Sequence, residues 1–128
     1  MAYRKPSFFP RRVFNPIAMR FGISGVKPLA VRGRRTGRIQ RVAVIPVERE
    51  GARYLVSPRG ETDWVRNLRA AGGDLELGGE RLQATEISVA ERPPILEAYQ
   101  ELAGRAVKSH FDALPDPVDH PTFRLEPH

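Results

Sequence analysis

Gly33-Arg34-Arg35-Thr36-Gly37-Arg38-Ile39-Gln40-Arg41 followed by Val42-Ala43-Val44-Ile45-Pro46-Val47-Glu48 is the stretch that decides the fold. Its first part is a tight turn flanked by glycines and crowded with guanidinium groups. Glycine lets backbone approach a ligand closely, and arginine forks match phosphate and carboxylate. The second part is mostly β-branched, which predicts a strand over Gln40–Glu48 with both faces buried. Pro46 has no N–H to give a ladder, so it predicts an edge or a bulge at that point. Upstream, Pro28–Arg32 reads as a strand entering the Gly-Arg turn. Downstream, Glu50-Gly51 marks a hairpin turn, and Arg53–Ser57 reads as the returning strand.

Further outward, Ser57-Pro58-Arg59-Gly60 is a second turn carrying a cation. Thr62 or Asp63 can cap a helix whose apolar stripe is Trp64, Val65, Leu68 and Ala71, with Arg66 and Arg69 outward. Gly72-Gly73 ends it with a left-handed cap. Leu75 and Leu77 alternate in a short strand, Gly78-Gly79 turns, and Arg81–Val89 returns; a change of parity between Ala84 and Ile87 predicts a bulge. Pro93-Pro94 opens a helix with Ile95, Ala98, Tyr99 and Leu102 on one face, ended by Gly104. Residues 105–113 continue as one or two helical turns, and Thr122–Leu125 is a last strand. Asn15-Pro16 reads as a helix start, with Gly22 as its end. The expectation is a mainly β, α+β chain. About six antiparallel strands would form a small barrel with peripheral helices, since no βαβ alternation is present.

With 128 residues the chain suits a single domain, taken as 13–128, behind a basic arm over residues 1–12. Cysteine is absent, which removes disulfides and thiolate chemistry and fits a cytoplasmic setting. No apolar run approaches ~20 residues, and the N-terminus has no apolar core of a signal peptide. The charge is polarised: residues 1–41 hold eleven Lys/Arg and no acid, whereas 42–128 hold ten Lys/Arg against fifteen Asp/Glu, so +11 and −5 make the net +6. A polarised basic end predicts an anionic partner, whether phosphorylated cofactor, nucleic acid or anionic lipid; a solvated basic face is the alternative. The Phe8-Phe9 pair within the arm would suit peripheral membrane contact.

Catalytic side chains are scarce. The Gly33–Gly37 turn lacks the Gly-Lys-Ser/Thr ending of a P-loop and the spacing of a dinucleotide fingerprint. His110, His120 and His128 stand apart from any serine–carboxylate motif and read as surface or loop-tethering residues. No cluster of metal ligands is evident. An enzyme without an evident acid, base or nucleophile can work when a cofactor carries the chemistry. Trp64 reads either as core or as a flat wall beside a ligand, and Asn67, on the same helix face, needs a polar partner if buried.

Taken together, Gly33-Arg-Arg-Thr-Gly37, Arg41, the apolar strand with Pro46, then Arg59-Gly60, Trp64 and Asn67-Leu68 resemble the deazaflavin-dependent nitroreductase family, from about Phe14 to Leu125. The resemblance implies a split β-barrel that binds coenzyme F420, an 8-hydroxy-5-deazaflavin with a phosphate and a polyglutamate tail. It implies that Arg34, Arg35, Thr36 and Gly37 hold phosphate and tail. Arg41 and Arg59 would add cations, Ser57, Pro58 and Gly60 would complete the second turn, and Trp64 and Asn67 would lie near the ring. The implied activity is hydride transfer from reduced deazaflavin to a small electron-poor acceptor such as a quinone, enone or nitro compound. A non-catalytic deazaflavin-binding protein is a second reading. A nucleic-acid-binding module using the basic third is another, but an aromatic platform of the kind that holds single strands is missing, so nucleic acid is not expected.

Overall fold

Ile45 and Pro46 join two strands that lie at opposite ends of one sheet. The computed structural model describes residues 25–128. Its strands are β1 (Lys27–Arg32), β2 (Ile39–Val44), β3 (Val47–Arg49), β4 (Ala52–Val56), β5 (Asp74–Leu77), β6 (Glu80–Glu86) and β7 (Thr122–Pro127). They form one sheet in the order β2-β1-β5-β6-β7-β4-β3. Every recorded pairing is antiparallel. Three Cα steps lead from Val44 to Val47, and a trans chain advances ~3.8 Å per step, so the two edges come within roughly 11 Å. A sheet can bring its ends together only by curling. The result is a split β-barrel, and the strand expected over Gln40–Glu48 serves both edges. The seven strands are the six expected from the sequence, with that one divided at Ile45-Pro46.

The division corrects the expectation that Gln40–Glu48 is buried on both faces. Gln40, Arg41 and Ala43 are exposed and only Val44, Ile45 and Val47 are buried. Pro46 sits at the break, where no ladder hydrogen bond is lost. Val44 belongs to one apolar core, with Leu29, Leu55, Leu68, Leu77 and Phe123. Ile45 and Val47 belong to another, with Val56, Ile95, Tyr99, Val107 and Phe111. Adjacent residues therefore face different cores, and the kink is the seam between them.

Among the described residues three helices cover this barrel: α1 (Asp63–Ala70), α2 (Arg92–Ala103) and α3 (Arg105–Ala113). Helix α1 buries Val65, Asn67 and Leu68 against the first core, with Trp64 and Ala71 half-buried at its margin. Arg66 and Arg69 face outward. Gly72 and Gly73 follow at φ +66° and +88°, and the Gly73 N–H donates to the Leu68 carbonyl at 2.9 Å. A Cβ at Gly73 would overlap the carbonyl oxygen of Ala84, so the turn brings backbone against β6 where only glycine fits. The bulge expected between Ala84 and Ile87 is not there. Register is regular from Leu82↔Pro127 to Glu86↔Phe123, and β6 simply ends before a 3₁₀ turn at Val89–Glu91. On α2 the buried stripe is Arg92, Ile95, Leu96, Tyr99 and Ala103, whereas Leu102 is 50% exposed, contrary to expectation.

The basic arm over residues 1–12 and the helix expected from Asn15-Pro16 lie outside the described residues. Among the described residues no helix is long and apolar enough to cross a membrane.

Candidate functional site: a cleft lined by arginines and apolar side chains

The seam between the two cores opens into a cleft of about 620 Å³, a volume usual for a small-molecule site. Of the residues singled out in the sequence, Arg34, Arg35, Thr36, Arg41, Ser57, Pro58, Arg59, Trp64 and Asn67 line it. Gly37 and Gly60 do not. Gly60 is buried at φ +88° under the loop before β7, and its backbone shapes the second turn rather than facing the cleft.

The turn between β1 and β2 is closed on itself. Gly33 N–H donates to Arg38 O at 2.7 Å, Gly37 N–H to Gly33 O at 3.0 Å, and Arg38 N–H to Thr36 Oγ1 at 3.2 Å. Gly37, at φ +77°, is exposed. Three of the six N–H groups from Gly33 to Arg38 are thus spent inside the turn. Arg34 is fastened too. Its N–H and its Nη1 both donate to Asn67 Oδ1, at 3.1 and 2.7 Å, and its Nη2 reaches Asp63 at 3.4 Å. The buried Asn67 amide therefore finds its partner in the protein. Arg34 joins the basic turn to α1, and the guanidinium groups left to a ligand are those of Arg35, Arg41 and Arg59. All three are exposed and have no hydrogen-bond or ion-pair partner among the described residues. The exposed Asp63 carboxylate is the one acid among the residues lining the cleft.

The second turn is held by Ser57, fully buried, whose Oγ donates to Gly60 O at 2.6 Å. Behind it His120, also fully buried, places its ring nitrogens 3.0 Å from Ser57 O and 2.6 Å from Leu114 O, and its ring stacks on Phe111 at 4.0 Å. His120 is the loop-tethering histidine the sequence suggested. Trp64 leans on Phe123 with centroids 6.0 Å apart and keeps part of its ring for the cleft, so it serves both as core margin and as wall.

Apolar side chains line the cleft as well: Val42, Val44, Ile45, Val56 and Val107. Tyr99 and His110 also line the cleft, and the sequence reading placed neither there. Tyr99 lies on the buried stripe of α2 and is 4% exposed, which in the sequence is indistinguishable from a core residue. Burial pushes its phenol up to about 12, so it stays a neutral hydroxyl. His110 is half-buried on α3, and no partner holds its imidazole among the described residues. Among the described residues no group of His, Asp and Glu gathers as a metal site.

No family model matches the chain, and no curated protein matches it in sequence. Solved structures do. An F420-H2 dependent reductase (FDR-A) superposes with a TM-score of 0.55 at 20% identity, over 80% of this chain and 95% of that one. The Campylobacter jejuni protein ChuZ gives 0.61 at 13% identity, over 92% of this chain and 53% of that one, so the chain spans about half its length. HutZ, the heme storage protein of Vibrio cholerae, gives 0.55 at 16% identity, over 88% and 89%. These likenesses show the fold: the chain is a split β-barrel of the architecture shared by a deazaflavin-dependent reductase and by heme-handling proteins.

Proposed function

We propose that the chain binds coenzyme F420 in this cleft and serves as a reductase, passing a hydride from the reduced cofactor to a small electron-poor acceptor. The observation that carries this reading is the mixed lining of the cleft. Three guanidinium groups without a partner among the described residues, Arg35, Arg41 and Arg59, and apolar side chains, Val42, Val44, Ile45 and Val56, line the same cleft. A ligand that joins a flat ring to a phosphate with carboxylates matches that lining. The donor set fits: guanidinium forks pair with phosphate and carboxylate oxygens, and Trp64 offers a flat apolar surface. When bound, the deazaflavin would supply the hydride. The chain would fix the ring by the tail, hold acceptor against it and exclude water, which is positioning rather than side-chain chemistry.

The test is a fluorescence titration of purified protein with the full cofactor and with a deazaflavin lacking the tail. Tight binding of the first and weaker binding of the second supports the reading; no binding of either removes it. Binding without turnover of any quinone, enone or nitro acceptor would leave a deazaflavin-binding protein and remove the reductase.

Heme is the second reading, favoured by one observation. The half-buried His110 imidazole has no partner among the described residues, in a cleft whose arginines would suit carboxylates. A parallel heme titration decides between them. A heme absorbance band that shifts on binding and is lost in His110→Ala, with no deazaflavin binding, replaces the first reading. A titration with oligonucleotide over a range of salt tests the nucleic-acid alternative, which predicts a steep salt slope and no deazaflavin binding.

A further inference from the structure

The turn between β4 and α1, which carries Arg59, is held by residues that do not line the cleft. Its own Glu61 accepts both prongs of Arg69 from α1, Nη1 to Oε1 at 2.5 Å and Nη2 to Oε2 at 3.0 Å. Arg69 also gives Nε and Nη2 to the Glu86 carboxylate at the end of β6, at 2.8 and 2.7 Å. Glu86 accepts in turn from Nη2 of Arg92, the first residue of α2, at 3.3 Å. Arg92 is 6% exposed, and its Nη1 donates to Pro117 O and Val118 O at 3.1 and 3.4 Å, in the 3₁₀ turn Pro117–Asp119. The residues that follow come back to the first turn. Ser57 N–H donates to Pro121 O at 3.0 Å, and a Cβ on Gly60 would stand 3.4 Å from Asp119 O. The contacts close a circuit that starts and ends at the turn presenting Arg59. Glu61, Arg69, Glu86 and Arg92 are all absent from the cleft lining.

An isolated exposed ion pair contributes little, but this chain differs in two respects. Charges alternate along it, carboxylate, guanidinium, carboxylate, guanidinium, so each is met by its opposite. Arg69 also meets each carboxylate with two hydrogen bonds, and such forks fix orientation as well as distance. Within the turn, Ser57 Oγ and Thr62 N–H both donate to Gly60 O, at 2.6 and 2.8 Å, which braces it internally. What the circuit adds is the place of the braced turn against β6 and α2. The Arg59 guanidinium has no partner among the described residues, so the backbone of the turn sets where it starts from.

We propose that Arg69 and Glu86 are positioning residues for the anion grip: they fix the turn that presents Arg59, and so set the cleft's affinity for the anionic part of its ligand without touching it. The proposal rests on the F420 reading for the identity of that ligand, whereas the hold on the turn rests on the contacts alone. Arg59 has a long flexible stem, so loosening the turn costs part of its contact with the ligand rather than all of it.

The test replaces Arg69 by Met, which keeps a long apolar stem and drops both forks. Arg66→Met is the control. Arg66 is exposed on the same helix, its guanidinium makes no hydrogen bond among the described residues, and its loss removes the same charge. Amide hydrogen exchange is read in the free protein at Ser57 and Thr62, the hydrogen-bonded N–H groups of the turn. Affinities are measured for full-length oxidised F420, for a deazaflavin lacking the tail, and for inorganic pyrophosphate as a cofactor-independent probe of the same guanidinium groups. Arg69→Met should speed exchange at both amides by roughly tenfold. It should weaken full-length F420 and pyrophosphate by roughly three- to tenfold and leave the tail-less deazaflavin unchanged. Arg66→Met should leave exchange unchanged and show only a small loss of affinity that salt erases. Arg59→Ala should cost less affinity in Arg69→Met than in wild type, because the contact it removes is already weakened. A merely destabilised fold would weaken all ligands alike, so the loss confined to anionic ones is the signature of positioning. Glu86→Gln, which keeps the volume and drops the charge, should show the same pattern at smaller size, and it serves if Arg69→Met folds poorly. Unchanged exchange, equal losses in Arg69→Met and Arg66→Met, or an undiminished cost of Arg59→Ala would each overturn the proposal. If wild type fails to bind F420 while Arg69→Met still loses pyrophosphate affinity, the cofactor reading falls and the positioning stands. If wild type binds F420 and Arg69→Met binds it as tightly, the positioning falls and the cofactor reading stands.

Discussion

Arg34 and Asn67, thirty-three positions apart, are joined twice: the Arg34 N–H and its Nη1 both donate to Asn67 Oδ1, at 3.1 and 2.7 Å. Asn67 is 4% exposed, so this amide is a buried anchor at the base of the basic turn. The pair sets where Arg35 stands without spending Arg35 itself. Asn67→Ala leaves a backbone N–H and a guanidinium without their acceptor, and should cost about 1–3 kcal/mol of stability. A double-mutant cycle with Arg34→Ala, measured by denaturant unfolding, should give a coupling of roughly 0.5–3 kcal/mol. Additive single costs would show that the contact contributes nothing.

If F420 occupies the cleft as proposed, Arg35, Arg41 and Arg59, which have no partner among the described residues, would share its tail. Each charge-assisted contact is worth ~1.5–3 kcal/mol when shielded, and less where solvent reaches it. Arg35→Ala, Arg41→Ala and Arg59→Ala should each weaken binding of full-length cofactor by roughly tenfold, about 1.4 kcal/mol. The loss should shrink for a tail-less deazaflavin and in high salt. Arg34→Ala should behave differently, losing stability as well as affinity. If all three exposed arginines can be replaced without loss, the anion grip is not where we place it.

The strands and the cation turns are legible in the sequence because local signals agree there. β-branched runs, glycine pairs and a proline at the seam all point the same way. Less legible is anything set by where an element docks. Val44 and Ile45 are neighbours of like chemistry, yet they serve different cores because the chain kinks between them. Tyr99 has the spacing of a core residue, and only the seating of α2 over the seam makes it part of the cleft lining. Leu102 failed as a core residue for the same reason: apolar character fixes a stripe's existence, but the rotation of the helix fixes which residues it contains. Arg34 reads as a ligand cation in the sequence because it shares a motif with Arg35; its tie to Asn67 spans β2, β3 and β4 and leaves no local trace.

Arg69 ties α1 to β6 and to the turn before the helix through charge, with Glu61 and Glu86 as its partners. The Glu61 carboxyl is held below the usual carboxylate value, chiefly by hydrogen bonds from Arg69, which contacts it at 2.5 and 3.0 Å. Arg69 also donates to Glu86 at 2.8 and 2.7 Å, and these contacts push the guanidinium above its own usual value. A carboxyl with a depressed folded value contributes stability above its unfolded value, and loses it as pH falls through the folded one. Acid should therefore weaken the fold across the carboxylate range. Glu61→Gln should reduce neutral-pH stability slightly and flatten the acid limb of stability against pH. A limb of unchanged slope, followed by thermal unfolding from pH 7 to 3, would show that Glu61 has no part in it.

Gly73 tests the seat of α1. Its φ of +88° strains any residue with a Cβ, and that Cβ would meet the Ala84 carbonyl, a fixed backbone group that cannot swing aside. Gly73→Ala should destabilise by more than the ~1 kcal/mol expected from conformational preference alone. Gly37, also at positive φ but with nothing within 4 Å of a Cβ, is the control. Gly37→Ala should cost only the strain, so the difference between the two measures the clash. Equal costs would mean that the α1–β6 contact yields easily.

His120 fastens the second turn to the end of α3, and through it the cleft to the barrel. Its ring nitrogens lie 3.0 Å from Ser57 O and 2.6 Å from Leu114 O, and Phe111 stacks at 4.0 Å with planes 13° apart. The residue is fully buried, so removing the ring takes a donor from the carbonyl its N–H meets and leaves the aromatic face of Phe111 without its stack. His120→Phe keeps the stack and loses the polar contacts; His120→Ala loses both and leaves a cavity. The first should cost about 1–3 kcal/mol and the second roughly 3–5 kcal/mol. Because the Ser57 carbonyl belongs to the turn that presents Arg59, His120→Phe should also weaken cofactor binding, and Arg59→Ala should then add less than it does in wild type. A His120→Phe protein as stable as wild type, with Arg59→Ala costing the same affinity in both backgrounds, would show that the turn holds its shape without this anchor.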